Sequence, residues 1–362
     1  MHIALLHPTY WPDVRRGAER LVHDLAGWLH GAGHEVTIVT THRARTEERT
    51  EEGVRVVRAW RPPDRLMRRR AYEEHLGTIP AQMRSLLGVD ADVAHAFFPV
   101  SAWAAVQARR LGGPPVVFSA MGVPTRRYLV WRRYRLGMQL EAAREAAAVS
   151  VLSEAAAEAF RRYLLRTPEV VPPGVRCADF EGPVERPDEP TIVYSGSPAD
   201  PRKRVPLLFE AFTRLRRRVP RAQLLMAGRP EPWFELDLPE GARWISGDAT
   251  DDLARILRTA HLAVLPAIEE GFGLVLVEAL AAGTPVVAAR SGAGPEVVSD
   301  ERIGRLFEPD DADDLAAVLE QGLELGADQA VIEACRAHAR RWDWSVVGPR
   351  WERLAARAVE RA

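Results

Sequence analysis

Short apolar runs alternate with segments of helical periodicity, first from residue 3 and again from residue 191, and few folds accommodate that order. Residues 3–6 are an apolar run, followed by a loop from His7 to Gly17 that contains Pro8 and Pro12. Leu21, Val22, Leu25, Trp28 and Leu29 then recur at helical spacing over residues 18–30, a helix ended at Gly31 or Gly33, before HEVTIVT at 34–40. Apolar runs of this length with helices between them predict parallel strands joined by crossovers, the start of a doubly wound sheet. GVRVVRAW, DVAHAFFPV, PVVFSAMG and AAVSVLS read as further strands, the last with Ser153 as N-cap of a helix over 154–163. VVPPGVRCADF reads as one more strand leading out of this half. TIVYSGS, AQLLMAG, ARWISG and HLAVLPA then repeat the rhythm, with a helix whose Leu207, Leu208, Phe209, Phe212 and Leu215 face inward. The fold class is therefore α/β, with two doubly wound Rossmann-like domains, for which 362 residues are ample. The proline-rich, charged stretch at 181–190 suits a linker, which places an N-terminal domain at 1–182 and a C-terminal domain at 190–341.

Composition excludes several function classes. A formal net charge of −1 lacks the dominant basic field of a general nucleic-acid binder, so no nucleic-acid partner is expected. Cys177 and Cys335 have neither metal spacing nor a disulfide framework, and no aspartate cluster suits a metal ion; no metal and no cofactor are expected. The first residues enter an apolar run without a basic leader, and no apolar run approaches the roughly 20 residues of a spanning helix, so the expected location is the cytoplasm. Two arginine-rich patches stand out: Arg65, Arg68, Arg69 and Arg70, and then Arg126, Arg127, Arg132, Arg133 and Arg135, interleaved with Tyr128, Leu129, Val130, Trp131 and Tyr134. The second has the chemistry of a surface for anionic lipid at the inner membrane face or for an anionic acceptor, and equally that of a solvated helix face.

The densest signal lies at 269–287, EEGFGLVLVEALAAGTPVV. Glycines on both sides of Phe272 leave backbone amides open where a helix begins near Gly273, and Gly283 ends it with a left-handed cap before Pro285. Four amides without intrahelical acceptors, together with the helix dipole, make that start a natural seat for a phosphate or diphosphate. Glu278 is the one ionisable group in the apolar run 274–282, and a carboxylate there needs a partner, either ribose hydroxyls or a core arginine. Glu270 stands in the loop where the anion would arrive. The chain also has a single lysine, Lys203, while arginine supplies every other basic side chain. A compact ammonium fits between phosphate oxygens where a planar guanidinium does not. No Gly-x-Gly-x-x-Gly turn follows the first strand, and SGAGPE near residue 292 is only a weak signal for NAD.

Glu270 and Glu278, with seven residues between them in EEGFGLVLVEALAAGTPVVAARSGAGPEVV, closely resemble the signature of retaining glycosyltransferases of the GT-B fold, family 4. The resemblance implies that the two domains face each other across a cleft. It implies that Glu278 holds the donor ribose, that Glu270 lies beside the transferred sugar, and that the amides at Gly271, Phe272, Gly273 and Leu274 meet the diphosphate. GAERLVHDLAGWLHGAGHEVTIVT resembles the family's N-terminal segment and puts the phosphate-approaching glycine at Gly17, although Arg16 replaces the first of the usual glycine pair. Lys203 falls on the family's phosphate lysine. Ser197 falls on its phosphate arginine, so that charge is missing or comes from Arg202, Arg204 or Arg16. Met121 stands where a histidine often precedes the glycine, and Pro173 replaces the asparagine of the interdomain Pro-Asn-Gly-Val. The resemblance further implies that residues 342–362 cross back to the N-terminal domain.

What the resemblance implies for function is metal-independent transfer of a hexose from a UDP-, GDP- or dTDP-sugar to an acceptor hydroxyl, with Lys203 and Glu270 as the catalytic pair. Three alternatives stay open: an epimerase of nucleotide sugars on the same fold, a phosphorylase, and a non-catalytic sugar-nucleotide binder. His7 and His95 lie near strand ends, where a lone histidine is more often structural than catalytic.

Overall fold

The computed structural model describes residues 1–62, 75–130, 133–228, 236–245 and 250–361. The chain divides into two units, Met1–Gly174 with Trp344–Ala362, and Val175–Asp343.

In the first unit the strands are β1 (His2–Leu6), β2 (Glu35–His42), β3 (Glu47–Glu51), β4 (Val54–Trp60), β5 (Val93–Ala96), β6 (Val116–Ala120), β7 (Ala148–Val151) and β8 (Glu169–Val170). They pair in the order β3-β4-β2-β1-β5-β6-β7-β8. All neighbours are parallel except β3 and β4. The central strands are apolar on both faces because helices cover both faces of a parallel sheet. β3 was not expected, because EERTE carries no apolar alternation. It is an edge strand held by its partner, with Arg55 bidentate on Glu48 at 2.6 and 3.1 Å and Arg58 bidentate on Glu51 at 2.6 and 3.0 Å. Glu52 and Gly53, both at positive φ (49° and 81°), close the hairpin. DVAHAFFPV is shorter as a strand than its apolar length suggests, since Pro99 opens the helix Pro99–Arg110.

The helix Trp344–Glu360 belongs to this unit, and Trp351 is its anchor: 1% exposed, its indole Nε1 donates to the Pro172 carbonyl at 3.0 Å. Its ring packs near His95 and Phe97. His95 is sealed beneath it, with Nε2 bonded to the Ser119 hydroxyl at 2.6 Å and Ser119 to Ser150 at 2.5 Å.

The second unit is a six-stranded parallel sheet. Its strands are β9 (Thr191–Ser195), β10 (Gln223–Ala227), β11 (Ala242–Ile245), β12 (Leu262–Leu265), β13 (Val286–Ala289) and β14 (Gly304–Phe307), in the order β11-β10-β9-β12-β13-β14. The stretch 181–190, read as a linker, lies inside this unit. Arg186 fixes it there: its guanidinium donates to the carbonyls of Ala260, Gly283 and Gly326. These close helix ends or short connections, which a cation satisfies well. Trp342 also stays in this unit, so the segment returning to the first unit begins at Trp344.

Burial pushes the His95 imidazolium down to about 3. The unfolded chain takes up a proton as pH falls through about 6.5, and the folded chain does not until about 3. Stability is therefore full above pH 6.5 and declines between pH 6.5 and 3. His95→Gln removes the titrating group, so its melting temperature should fall less between pH 7 and 5 than that of the wild type. Identical slopes would show that His95 does not carry the effect.

Candidate functional site

Parallel strands leave their connections at the carboxyl ends, and a crevice opens where connections depart to opposite sides. In the second unit that point lies between β9 and β12: the chain leaves β9 for β10 on one side, and β12 lies on the other. The loop after β9 carries Lys203 and the loop after β12 carries Glu270.

Asp200 shapes the first loop. It caps the single 3-10 turn Pro201–Lys203 by accepting the Arg202 N–H at 3.0 Å, with proline in the first position of the turn. The same carboxylate holds the Arg202 guanidinium at 2.7 and 3.2 Å. Arg204, at φ 51°, pairs with Asp310 at 2.9 Å. Lys203 projects between these two arginines in sequence, and its Nζ donates to Glu270 Oε2 at 2.6 Å. Its side chain is 19% exposed and that of Glu270 23%, so the pair is half-buried rather than sealed.

Backbone bonds lace the loops together. Ile268 N donates to Arg202 O at 2.9 Å, Glu269 N to Ser291 Oγ at 3.2 Å, and Ala293 N to Glu270 O at 3.1 Å. Gly292 lies so close that a Cβ would come within 2.5 Å of Glu270 O and 2.7 Å of Glu270 N, and its φ is 56°. SGAGPE is thus the rest on which the Glu270 loop lies, not a dinucleotide turn.

Behind Glu270 the helix Leu274–Ala282 begins at Gly273 (φ 87°) and ends at Gly283 (φ 86°), whose N–H reaches the Ala279 and Leu280 carbonyls. Seven of its nine residues are buried. Glu278, 3% exposed, sits one turn beyond Leu274 on the same face. Phe272 is 5% exposed, and its ring packs edge-on against Trp342 with centroids 5.9 Å apart.

The structure thus gathers Arg202, Lys203, Glu270, Gly271, Phe272, Gly273 and Leu274 at one end of the second sheet, with Glu278 on the same helix. Ser197, half-buried, opens the β9 loop, and its carbonyl accepts the Asp200 N–H at 3.3 Å. Of the arginines considered for the missing charge, Arg202 and Arg204 already hold carboxylates. Gly17 belongs to the first unit, exposed at the start of the helix Gly17–Gly31, with Arg16 as its extended N-cap. Met121 directly follows β6 in the same unit. Sequence reasoning missed Asp200, read Ser291 and Gly292 only as a weak dinucleotide signal, and read Trp342 only as the start of the returning segment. An Asp-Pro step ahead of a turn was a readable cap signal for the first, whereas the others matter only through tertiary contact.

An open helix start and a lone lysine at a strand-order switch have, in an α/β protein, the chemistry that suits a phosphorylated ligand. Two family models match the chain, glycosyltransferase family 4 over residues 15–179 and glycosyl transferases group 1 over residues 178–341. The chain belongs to these GT-B glycosyltransferases. The MMP alpha-(1->4)-mannosyltransferase of Mycolicibacterium hassiacum is 37% identical over 207 residues, 54% of this chain and 50% of that protein. The match with the Mycolicibacterium smegmatis phosphatidyl-myo-inositol mannosyltransferase covers 42% of that protein, so the chain spans about half the length of these first curated relatives. The phosphatidyl-myo-inositol mannosyltransferase of Propionibacterium freudenreichii is 27% identical over 92% of this chain and 89% of its own. Among solved structures, sucrose-phosphate synthase from Thermosynechococcus elongatus has a TM-score of 0.83 at 21% identity, covering 100% of both chains. Anabaena HepE in complex with UDP-glucose has 0.77 at 18%, covering 98% of this chain and 100% of its own. These two likenesses are in fold.

Gly292→Ala forces the Glu270 loop outward, and overpacking against backbone costs about 1–3 kcal/mol. The variant should melt measurably lower than wild type, and a crystal structure should show Glu270 displaced from Lys203. An unchanged melting temperature would show that the loop is not held this way.

Proposed function

We propose that this chain transfers a hexosyl group from a nucleotide sugar to an acceptor hydroxyl with retention of configuration. The observation that carries the reading is the Lys203–Glu270 pair in front of the helix start at Gly273. A departing diphosphate develops negative charge, and fixed positive charge with amide donors at that position lowers the barrier. Lys203 and the amides from Gly271 to Leu274 supply both. The ammonium is held by Glu270. An incoming diphosphate competes for it, and the freed Glu270 carboxylate then takes sugar hydroxyls as its new partners. Glu278, on the face that Leu274 opens, receives the ribose. The mannosyltransferases among the relatives favour a mannosyl donor, and the UDP-glucose bound in HepE keeps a glucosyl donor in the comparison.

The second arginine-rich segment supports contact with an anionic membrane surface. Tyr128 (37% exposed), Val130 (57%) and Tyr134 (38%) stand out beside Arg126, Arg127 and Arg135, and the Arg135 guanidinium covers the Tyr128 ring at 4.6 Å. Basic and aromatic side chains together suit the lipid headgroup region. The residues Arg65, Arg68, Arg69 and Arg70, Trp131 and Arg132, and the side chain of Arg133 lie outside the described residues. Among the described residues no helix is long and apolar enough to cross a membrane. Vesicles containing phosphatidylglycerol should sediment the protein at low salt and release it at high salt, and Arg126→Glu with Arg127→Glu should weaken binding. Equal sedimentation with phosphatidylcholine alone would count against the charged surface.

The donor is tested by melting the protein with UDP, GDP, dTDP, ADP and their sugar conjugates, with NAD as control. A ligand at 100 times its Kd stabilises by about 2.7 kcal/mol. One nucleotide diphosphate should raise the melting temperature of wild type and not of Lys203→Ala. Each shift is read against the melting temperature of the same variant without nucleotide, because Lys203→Ala also leaves the half-buried Glu270 without its ammonium. Stabilisation by NAD alone, or by nothing, overturns the reading. Ser197 and Met121, at positions where the family carries arginine and histidine, favour a non-catalytic binder as the rival. Slow hydrolysis of the bound donor without acceptor would exclude it.

A further inference from the structure

The amides from Gly271 to Leu274 serve a diphosphate only while they keep their directions, and the local sequence gives them little to hold on to. Gly271 and Gly273 have no side chains, and glycine has the most backbone freedom to lose. Backbone bonds fix the two ends of the stretch, Ala293 N to Glu270 O at 3.1 Å and Leu276 N to Gly273 O at 2.9 Å. Between those ends one side chain can be gripped, that of Phe272.

Trp342 grips it from far along the chain. The two rings meet edge-on, with planes at 75°, a geometry that aromatic pairs favour. Trp342 ends the 3-10 turn Arg340–Trp342 and is 8% exposed. It is itself held from several sides. The Arg341 guanidinium lies over its ring at 4.5 Å, and the His338 ring is 5.4 Å away. His338 Nε2 in turn lies 3.0 Å from the carbonyl oxygen of Val297, the last residue of the short helix Gly294–Val297 that follows Gly292. The Trp342 carbonyl accepts the Val175 N–H at 2.8 Å, and Asp343, next in the chain, accepts the Cys177 N–H at 3.1 Å. The indole is therefore a fixed wall for Phe272 rather than a loose cover. Glu270 and the amides after it thus have separate supports: Gly292 props the first, and Trp342 the second.

We propose that Trp342 is a positioning residue for the donor diphosphate, holding the Gly271–Leu274 amides in their binding directions through the Phe272 ring. The proposal rests on the transferase reading and adds to it a residue outside the Lys203 and Glu270 loops. Trp342 acts through Phe272, and no bond forms or breaks at either ring. Donors ordered in advance bind without first having to be fixed. Loosening them should weaken contacts to phosphate and spare those to base and ribose.

The test uses the whole chain, the nucleoside diphosphate that stabilises wild type, and the corresponding nucleoside. Dissociation constants for the diphosphate come from calorimetry, and those for the nucleoside from competition at millimolar concentration. Trp342→Met keeps an apolar filler and loses the aromatic wall. It should weaken the diphosphate about tenfold and the nucleoside less than about twofold. Trp342→Phe keeps a ring and should recover most of the loss, to within about threefold of wild type. Phe272→Leu should weaken the diphosphate about as much as Trp342→Met, and the double variant should bind no worse than the weaker single one, since both act through one contact. Should Trp342→Met not fold, the same cycle is run with Trp342→Phe, where the loss from Trp342→Phe should vanish once Phe272 is leucine.

Equal weakening of nucleoside and diphosphate would show that Trp342 supports only the fold, and losses that add in the double variant would show that it does not act through Phe272. Either result overturns the proposal and leaves the transferase reading standing. If no nucleoside diphosphate binds wild type, the transferase reading falls first and the role of Trp342 with it.

Discussion

Parallel strand pairing is the constraint on which both units depend. A parallel pair cannot be joined by a tight turn, so each strand returns through a crossover, and helices come to cover both sheet faces. Only the strand ends escape that cover, and they escape it most where two crossovers depart in opposite directions. Each sheet has one such place, β1 beside β5 and β9 beside β12, and each is occupied by polar groups that the apolar core would not accept. At the second the chain matches charge with charge. At the first, among the described residues, the buried His7 Nε2 has no hydrogen-bond partner.

The Lys203–Glu270 contact holds its shape because little around it is free to move. Asp200 sets the turn before the lysine, Arg202 and Ile268 share a backbone bond, and Gly292 supports Glu270 from behind. Neither charged group pays full desolvation, since both keep about a fifth of their surface. Such a pair is held in place without being sealed in the core.

Much of this was legible in the sequence where one local rule decided the outcome. Gly283 ended its helix in the left-handed conformation because Thr284 and Pro285 left no other continuation, and Ser153 capped its helix with the Ala156 amide at 3.2 Å. The helix start at Gly273 followed from glycines alone. Legibility failed where tertiary contact overrode composition. EERTE looks like a solvated loop and pairs as a strand because Arg55 and Arg58 stand opposite its glutamates. The stretch 181–190 looks like a flexible joint, yet its Arg186 reaches three carbonyls, and Arg336 and Arg221 hold it at Gly182 and Glu189. SGAGPE resembles a nucleotide turn because glycine serves close approach of any kind, and here what approaches is the backbone of Glu270. Nothing in one sequence announced that His7 and His95, both beside apolar strands, would differ in whether Nε2 is matched.

The first unit is built from two separated pieces of chain, and one of its most deeply buried side chains, Trp351, comes from the second piece. During synthesis the indole therefore leaves the ribosome only after every residue of the second unit. Until then His95 and Phe97 lack their cover, and Pro172 lacks the donor for its carbonyl. The second unit, continuous from Val175 to Asp343, has all its strands available earlier than the first has its last helix. The unit whose strands are made first is thus the one whose last helix is made last.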